Sequence, residues 1–167
     1  MWSSERRGLL RGLLALSGTA LLAACGFQMR QPARLAFASI ALTGFAPRSA
    51  MADELRRELA RQVRVVEPPA QAEVVLQALE DVRERSVVAS TAAAQVRELQ
   101  LRLRFQFSAR TPGGRELIPR AELMLARDLS YRETAALAKE HEEAELFREM
   151  QSDIVAQVLR RLAAVRV

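Results

Sequence analysis

Thiol and imidazole chemistry are nearly missing from this chain. Its 167 residues include one cysteine, Cys25, so an internal disulfide is excluded. The one histidine, His141, stands in His141-Glu142-Glu143-Ala144-Glu145. A zinc-protease helix needs a second imidazole one turn on, where Glu145 stands, so a solvated helix face is expected instead. Aromatic residues make up 5% of the chain and do not interleave with basic ones, which argues against nucleic acid as a partner. No serine sits in a nucleophile-elbow pattern. The one glycine pair, Gly113-Gly114, follows Thr111-Pro112 in a turn setting and does not open a helix as a phosphate loop would. Carboxylates are plentiful but alternate with arginine, the pattern of a wet surface. No catalytic set, metal site or cofactor site emerges, and the expectation is a protein that is not an enzyme.

The N-terminus, by contrast, is rich in signal. Arg6, Arg7 and Arg11 precede a run of small and apolar residues from Gly12 to Ala24. The run is shorter than the ~20 residues that span a bilayer, but it suits the apolar stretch of a signal peptide. It ends in Leu22-Ala23-Ala24-Cys25, which resembles a bacterial lipobox: small residues for the peptidase cleft, then a thiol to carry lipid. Residues 1–24 are therefore read as a lipoprotein signal peptide, Cys25 as the acylated residue, and residues 25–34 as a lipidated tether. Two or more acyl chains, palmitate among them, make a stable anchor without a transmembrane helix. Gly26 follows the cysteine where an Asp would favour inner-membrane retention, so the expected address is the outer membrane, on its periplasmic side. If the lipid takes Cys25, no thiol is left for catalysis or metal binding.

Residues 35–167 read as a single domain. Beyond residue 24 the chain carries 22 basic and 19 acidic residues, a net +3, and Lys139 is its only lysine. That excess fits an anionic partner without demanding one. Leu35–Leu42 suits a first strand. Ser49 can cap a helix from about Ala50 to Val63, with Ala52, Leu55, Leu59 and Val63 on its apolar side. Pro68-Pro69 breaks the chain, and three strands follow. The first runs over Val74–Ser90, with Val74, Leu76, Ala78 and Val82 facing inward and Arg83 and Arg85 outward. The second has the clearest period-two pattern: Leu99, Leu101, Leu103, Phe105 and Phe107 alternate with Gln100, Arg102, Arg104 and Gln106. After the turn at Thr111–Gly114, the third covers roughly Leu117–Tyr131, its apolar face interrupted by Arg127. A long helix from about Glu133 to Ala164 shows a stripe of Phe147, Met150, Ile154, Val158 and Leu162. The sum is an α+β two-layer sandwich, with two helices on one face of a four-stranded sheet and the other face polar.

That polar face holds the candidate binding residues. If Arg83 and Arg85 share it with Arg102 and Arg104 on the neighbouring strand, four guanidiniums meet, a suitable cradle for phosphate groups. The competing reading is a solvated face balanced by Glu84, Glu98 and Glu122.

Both ends of the chain resemble the LptE family of lipopolysaccharide-assembly lipoproteins. The first match is Cys25-Gly26-Phe27-Gln28-Met29-Arg30. The second runs through Arg127-Asp128-Leu129-Ser130-Tyr131, Ala136-Leu137-Ala138-Lys139-Glu140, Glu149-Met150-Gln151-Ser152-Asp153 and Gln157-Val158-Leu159-Arg160-Arg161-Leu162. The resemblance implies the two-helix, four-stranded fold. It also implies a role as plug and assembly partner of an LptD-like outer-membrane β-barrel, and binding of lipopolysaccharide. Family members bind it through basic residues near strand loops. The loop here, Ser90–Gln95, is uncharged and alanine-rich, so Arg83, Arg85, Arg102 and Arg104 rest on strand alternation alone. Arg127 falls on the family pattern and is open to a structural reading, paired with a carboxylate. The alternative function is a free-standing periplasmic lipid-binding lipoprotein with no barrel partner.

Overall fold

The computed structural model describes residues 34–90, 96–131 and 136–166. The signal peptide, Cys25 and nearly all of the tether lie outside those residues, as do most of the Ser90–Gln95 loop and the segment leading into the last helix.

The element order is β1 (Ser39–Thr43), α1 (Ala50–Leu59), β2 (Arg64–Val65), a 3-10 turn (Pro69–Gln71), β3 (Val74–Ser90), β4 (Val96–Arg110), β5 (Glu116–Ser130) and α2 (Ala136–Ala163). The strands form one mixed sheet in the order β2-β1-β3-β4-β5. This corrects the expectation of four strands to five. β2 has only two residues, too few to show alternation, and it pairs parallel to β1. Its register is held by Arg64 N–H donating to the Ala38 carbonyl at 3.0 Å and Val66 N–H to that of Ile40 at 2.9 Å.

α1 stops at Leu59, short of the Val63 expected from the apolar spacing. The N–H groups of Ala60 and Val63 donate to the carbonyls of Arg56 and Leu59, closing the helix end as the chain turns into β2. Val63 is still buried, from the turn. At the other end Ser49 Oγ accepts from Ala52 N–H at 3.1 Å, the cap the sequence suggests.

Met51, Leu55 and Leu59 of α1 and Phe147, Met150, Ile154, Val158 and Leu162 of α2 pack with Leu99, Leu101, Leu103, Phe105 and Phe107 of β4 in one core. Each β4 residue in that run is at most 2% exposed, so the helix-facing side of the sheet is dry. The opposite face is not polar throughout. At the β1–β3 end Ala41, Val75 and Ala72 form a small second cluster, covered by Val66. The segment between β2 and β3 crosses that corner and excludes water from it.

Candidate functional site

The four candidate arginines do not share a face. In β3 the pairing with β4 runs Ala78↔Phe107, then skips Leu79 and resumes at Glu80↔Gln106, Asp81↔Phe105, Arg83↔Leu103 and Arg85↔Leu101. Residues directly opposite in an antiparallel pair point to the same side. The bulge at Leu79 therefore inverts the inside–outside rhythm. Arg83 and Arg85 come to the helix side, while Arg102 and Arg104 stay on the outer side. The expected four-guanidinium cluster is corrected to two pairs on opposite faces, and Val82, paired with Arg104, moves to the outer side. The sequence carries a mark of this break: Ala78-Leu79 followed by Glu80-Asp81, two like neighbours in succession where strict alternation allows none.

On the helix side Arg83 Nη2 donates to Gln151 Oε1 at 2.6 Å, and its guanidinium lies 5.4 Å from the Phe147 ring centroid. Gln151 is 5% exposed and is the centre of a network. Its Nε2 donates to the Ala50 carbonyl at 3.1 Å and to Glu54 Oε2 at 2.5 Å, and Ser152 Oγ donates to Glu54 Oε1 at 2.6 Å. One amide thus joins β3, α1 and α2. Replacing it with an apolar residue, Gln151→Leu, leaves the Arg83 guanidinium and the Ala50 carbonyl without these partners. The expected cost is about 1–3 kcal/mol, read as a lower urea midpoint at unchanged slope. Arg85 reaches Glu143 at 3.5 Å and lies 5.9 Å from the Tyr131 ring centroid.

The outer side is a lattice of short polar contacts. Arg104 Nη2 sits 2.9 Å from Glu80 and 3.4 Å from Glu84. Arg102 Nε donates to Gln100 Oε1 at 2.8 Å, and Gln100 Nε2 donates to Asp128 Oδ1 at 3.1 Å. Gln106 Nε2 donates to Glu122 Oε2 at 2.7 Å, and its Oε1 accepts from Arg120 Nε at 3.0 Å. Arg102 and Arg120 each face an amide oxygen, of Gln100 and of Gln106, rather than a carboxylate. Arg104 retains a buried Nε without a hydrogen-bond partner. Alternation marks these side chains as exposed; it does not mark the pairing between strands that nets them together.

Arg127 is placed as its structural reading expects: Nη2 lies 3.8 Å from Asp153 Oδ2 on α2. His141 is exposed on α2. Among the described residues no group of three or more His, Cys, Asp or Glu side chains could hold a metal, and no helix is long and apolar enough to cross a membrane. Two surface hollows have charged walls. One runs along Glu145, Arg148, Glu149, Ser152 and Asp153 of α2. The other lies at the β1–α1 turn beside Arg48, Asp53 and Arg56.

A two-helix layer on a mixed sheet, with a dry core and an outer face that is polar and charge-netted over β3, β4 and β5, defines an α+β two-layer domain. Solved lipoproteins share the arrangement. Lipoprotein B from Nitrosomonas europaea is 29% identical, with a TM-score of 0.72 over 83% of this chain and 91% of that one. Rare lipoprotein B from Shewanella oneidensis is 24% identical, with a TM-score of 0.64 over 75% and 94%. A minor lipoprotein from Acinetobacter baumannii is 23% identical, with a TM-score of 0.64 over 78% and 93%. No curated protein sequence matches the chain. The sequence profile of LptE, the lipopolysaccharide-assembly family, matches residues 37–162, and the chain belongs to that family.

Proposed function

We propose that this chain is an outer-membrane lipoprotein that plugs and helps assemble an LptD-like, lipopolysaccharide-exporting β-barrel, and that it binds lipopolysaccharide without making or breaking a bond. Residues 1–24 serve as its signal peptide, Cys25 carries the lipid, residues 25–34 form the tether, and residues 35–167 form the working domain. The observation that carries the reading is the outer face of β3, β4 and β5. Its glutamates, glutamines and arginines satisfy one another side by side. Such a face, with most of its polar groups already hydrogen-bonded, can lie against the polar wall of a wide barrel. A free lipid carrier needs an apolar cavity, whereas Phe105, Phe107, Met150 and Leu101 fill this interior.

The test is recovery of the C-terminally tagged chain from outer membrane in mild detergent. A large β-barrel in equal amount, with lipopolysaccharide, supports the plug; the chain alone supports the free carrier.

For lipopolysaccharide we assign the outer pair, Arg102 with Arg104, to the lipid phosphates. Arg83 and Arg85, on the other side of the sheet, cannot reach the same group. Arg102→Ala with Arg104→Ala is expected to weaken binding about tenfold or more and to flatten its salt dependence, given the strength of charge-assisted bonds to phosphate. Equal affinity in that variant and the parent, measured by titration at two salt concentrations, overturns the assignment.

A further inference from the structure

The positive charge of the domain is gathered at one end. β1 and β3 begin there side by side, with Ile40 opposite Val74, and β2 joins them with Arg64 opposite Ser39. β4 finishes at the same level, Arg110 opposite Val75, and turns into β5 through residues 111–114. Both helices end there too. α1 closes at Leu59, five residues before Arg64, and the Arg161 guanidinium of α2 lies 6.0 Å from the ring centroid of Phe107, three residues before Arg110. Residues 34, 57–75, 108–117 and 157–166 make up this end. They carry nine arginines against four glutamates, Glu58, Glu67, Glu73 and Glu116. The rest of the chain beyond residue 24 carries 13 basic and 15 acidic residues. The overall excess of +3 is therefore +5 at this end and −2 elsewhere.

All nine arginines are exposed. Among the described residues one of them, Arg61, meets a carboxylate, Glu58 at 2.8 Å. Glu73 instead accepts from the Ala38 N–H. Helix C-termini attract cations, which accounts for Arg57, Arg160 and Arg161 in the last turns. It does not account for Arg34, Arg64, Arg110 and Arg115, which stand on the entry segment, on β2 and at the β4–β5 turn. Arg34 also marks where the chain enters the domain. Cys25 is nine residues upstream, at most about 30 Å of extended chain. On the proposed reading that Cys25 carries lipid, the basic end is the end that the anchor draws to the bilayer. We propose that this end docks on the anionic phospholipid headgroups of the membrane that holds the anchor. Arginines within a Debye length of an anionic leaflet are each attracted to it, and guanidinium grips phosphate through paired hydrogen bonds. The surface does not include Arg102 or Arg104, so it is separate from the assigned lipopolysaccharide pair.

The test is sedimentation of residues 25–167, carrying Cys25→Ser, with vesicles of phosphatidylcholine alone or mixed with phosphatidylglycerol. This chain bears no lipid, so its binding reports the basic end alone, while the pull-down above reports the barrel reading separately. The expected result is binding to the mixed vesicles only, weakened by added salt. Arg64→Gln, Arg115→Gln and Arg160→Gln together are expected to weaken it about tenfold or more. Those side chains make no ion pair among the described residues, and an unchanged thermal midpoint checks that the variant is folded. Arg97→Gln, Arg102→Gln and Arg148→Gln, which remove the same charge away from this end, are expected to leave most of the binding. Equal binding to both vesicles, or an equal loss in the two triple variants, overturns the proposal. So does binding to neither vesicle, which would leave an acidic protein surface as the occupant of this end.

Discussion

Phe105→Ala is expected to cost about 3–5 kcal/mol, the usual range for a fully buried phenylalanine cut back to a methyl. The ring is completely buried. It lies between two others, 6.0 Å from Phe45 and 5.5 Å from Phe107 centroid to centroid, nearly parallel to both. Truncation leaves a gap where the β1–α1 turn meets the middle of β4, a place the helices cannot easily close because their own side chains are packed on either side. Urea unfolding should show a much lower midpoint with an unchanged slope, the mark of lost stability in an unchanged native fold. A midpoint within a tenth of the parent's would mean that the neighbouring rings collapse into the gap.

Gly44→Ala is the second large effect, and it acts through the backbone. The residue has φ +78°, a region that costs a side-chain-bearing residue about 1–3 kcal/mol. The added methyl would also meet backbone on Ala78 rather than the movable end of a side chain. The two penalties fall together on the point where β1 parts from β3. The expected result is a thermal midpoint lowered by several degrees, with faster amide exchange in β1 and at the start of β3. A change confined to the turn, with β1 still protected, would show that the turn relaxes without disturbing the sheet.

Where the sequence is strictly periodic, it is a reliable guide to this fold. Leu99 to Phe107 alternate without a break, and each falls on the core side as the pattern requires. The stripe from Phe147 to Leu162 packs as the helix period demands. Legibility fails where a single residue changes the phase. Leu79 shifts the count by one, and the side chains from Glu80 to Val87 change face until a second irregularity at Val88, so Arg83 and Arg85 leave the surface to which alternation assigns them. β2 is missed for a different reason: two residues carry no period, and their strand character comes only from the carbonyls of Ala38 and Ile40. The Gln151 network could not be read at all. It joins groups as far apart as 101 positions, and nothing local in Glu149-Met150-Gln151-Ser152-Asp153 says that an amide there will be buried against α1.

The pairing order also sets an order of events in time. β3, β4 and β5 are joined by neighbours in sequence through a short turn and a short loop, so their ladders close at small entropic cost. β1 must find a partner 34 positions away, at Val74, and Gln151 must find Ala50. Chains dominated by near contacts fold fastest, so the meander is expected to close before these distant contacts form. In a chain that emerges N-terminus first, the residues of β1 and α1 are made before the meander they dock on, and they wait for it. Until they dock, the β1 side of β3 is unpaired, and the dry face of the meander lacks α1.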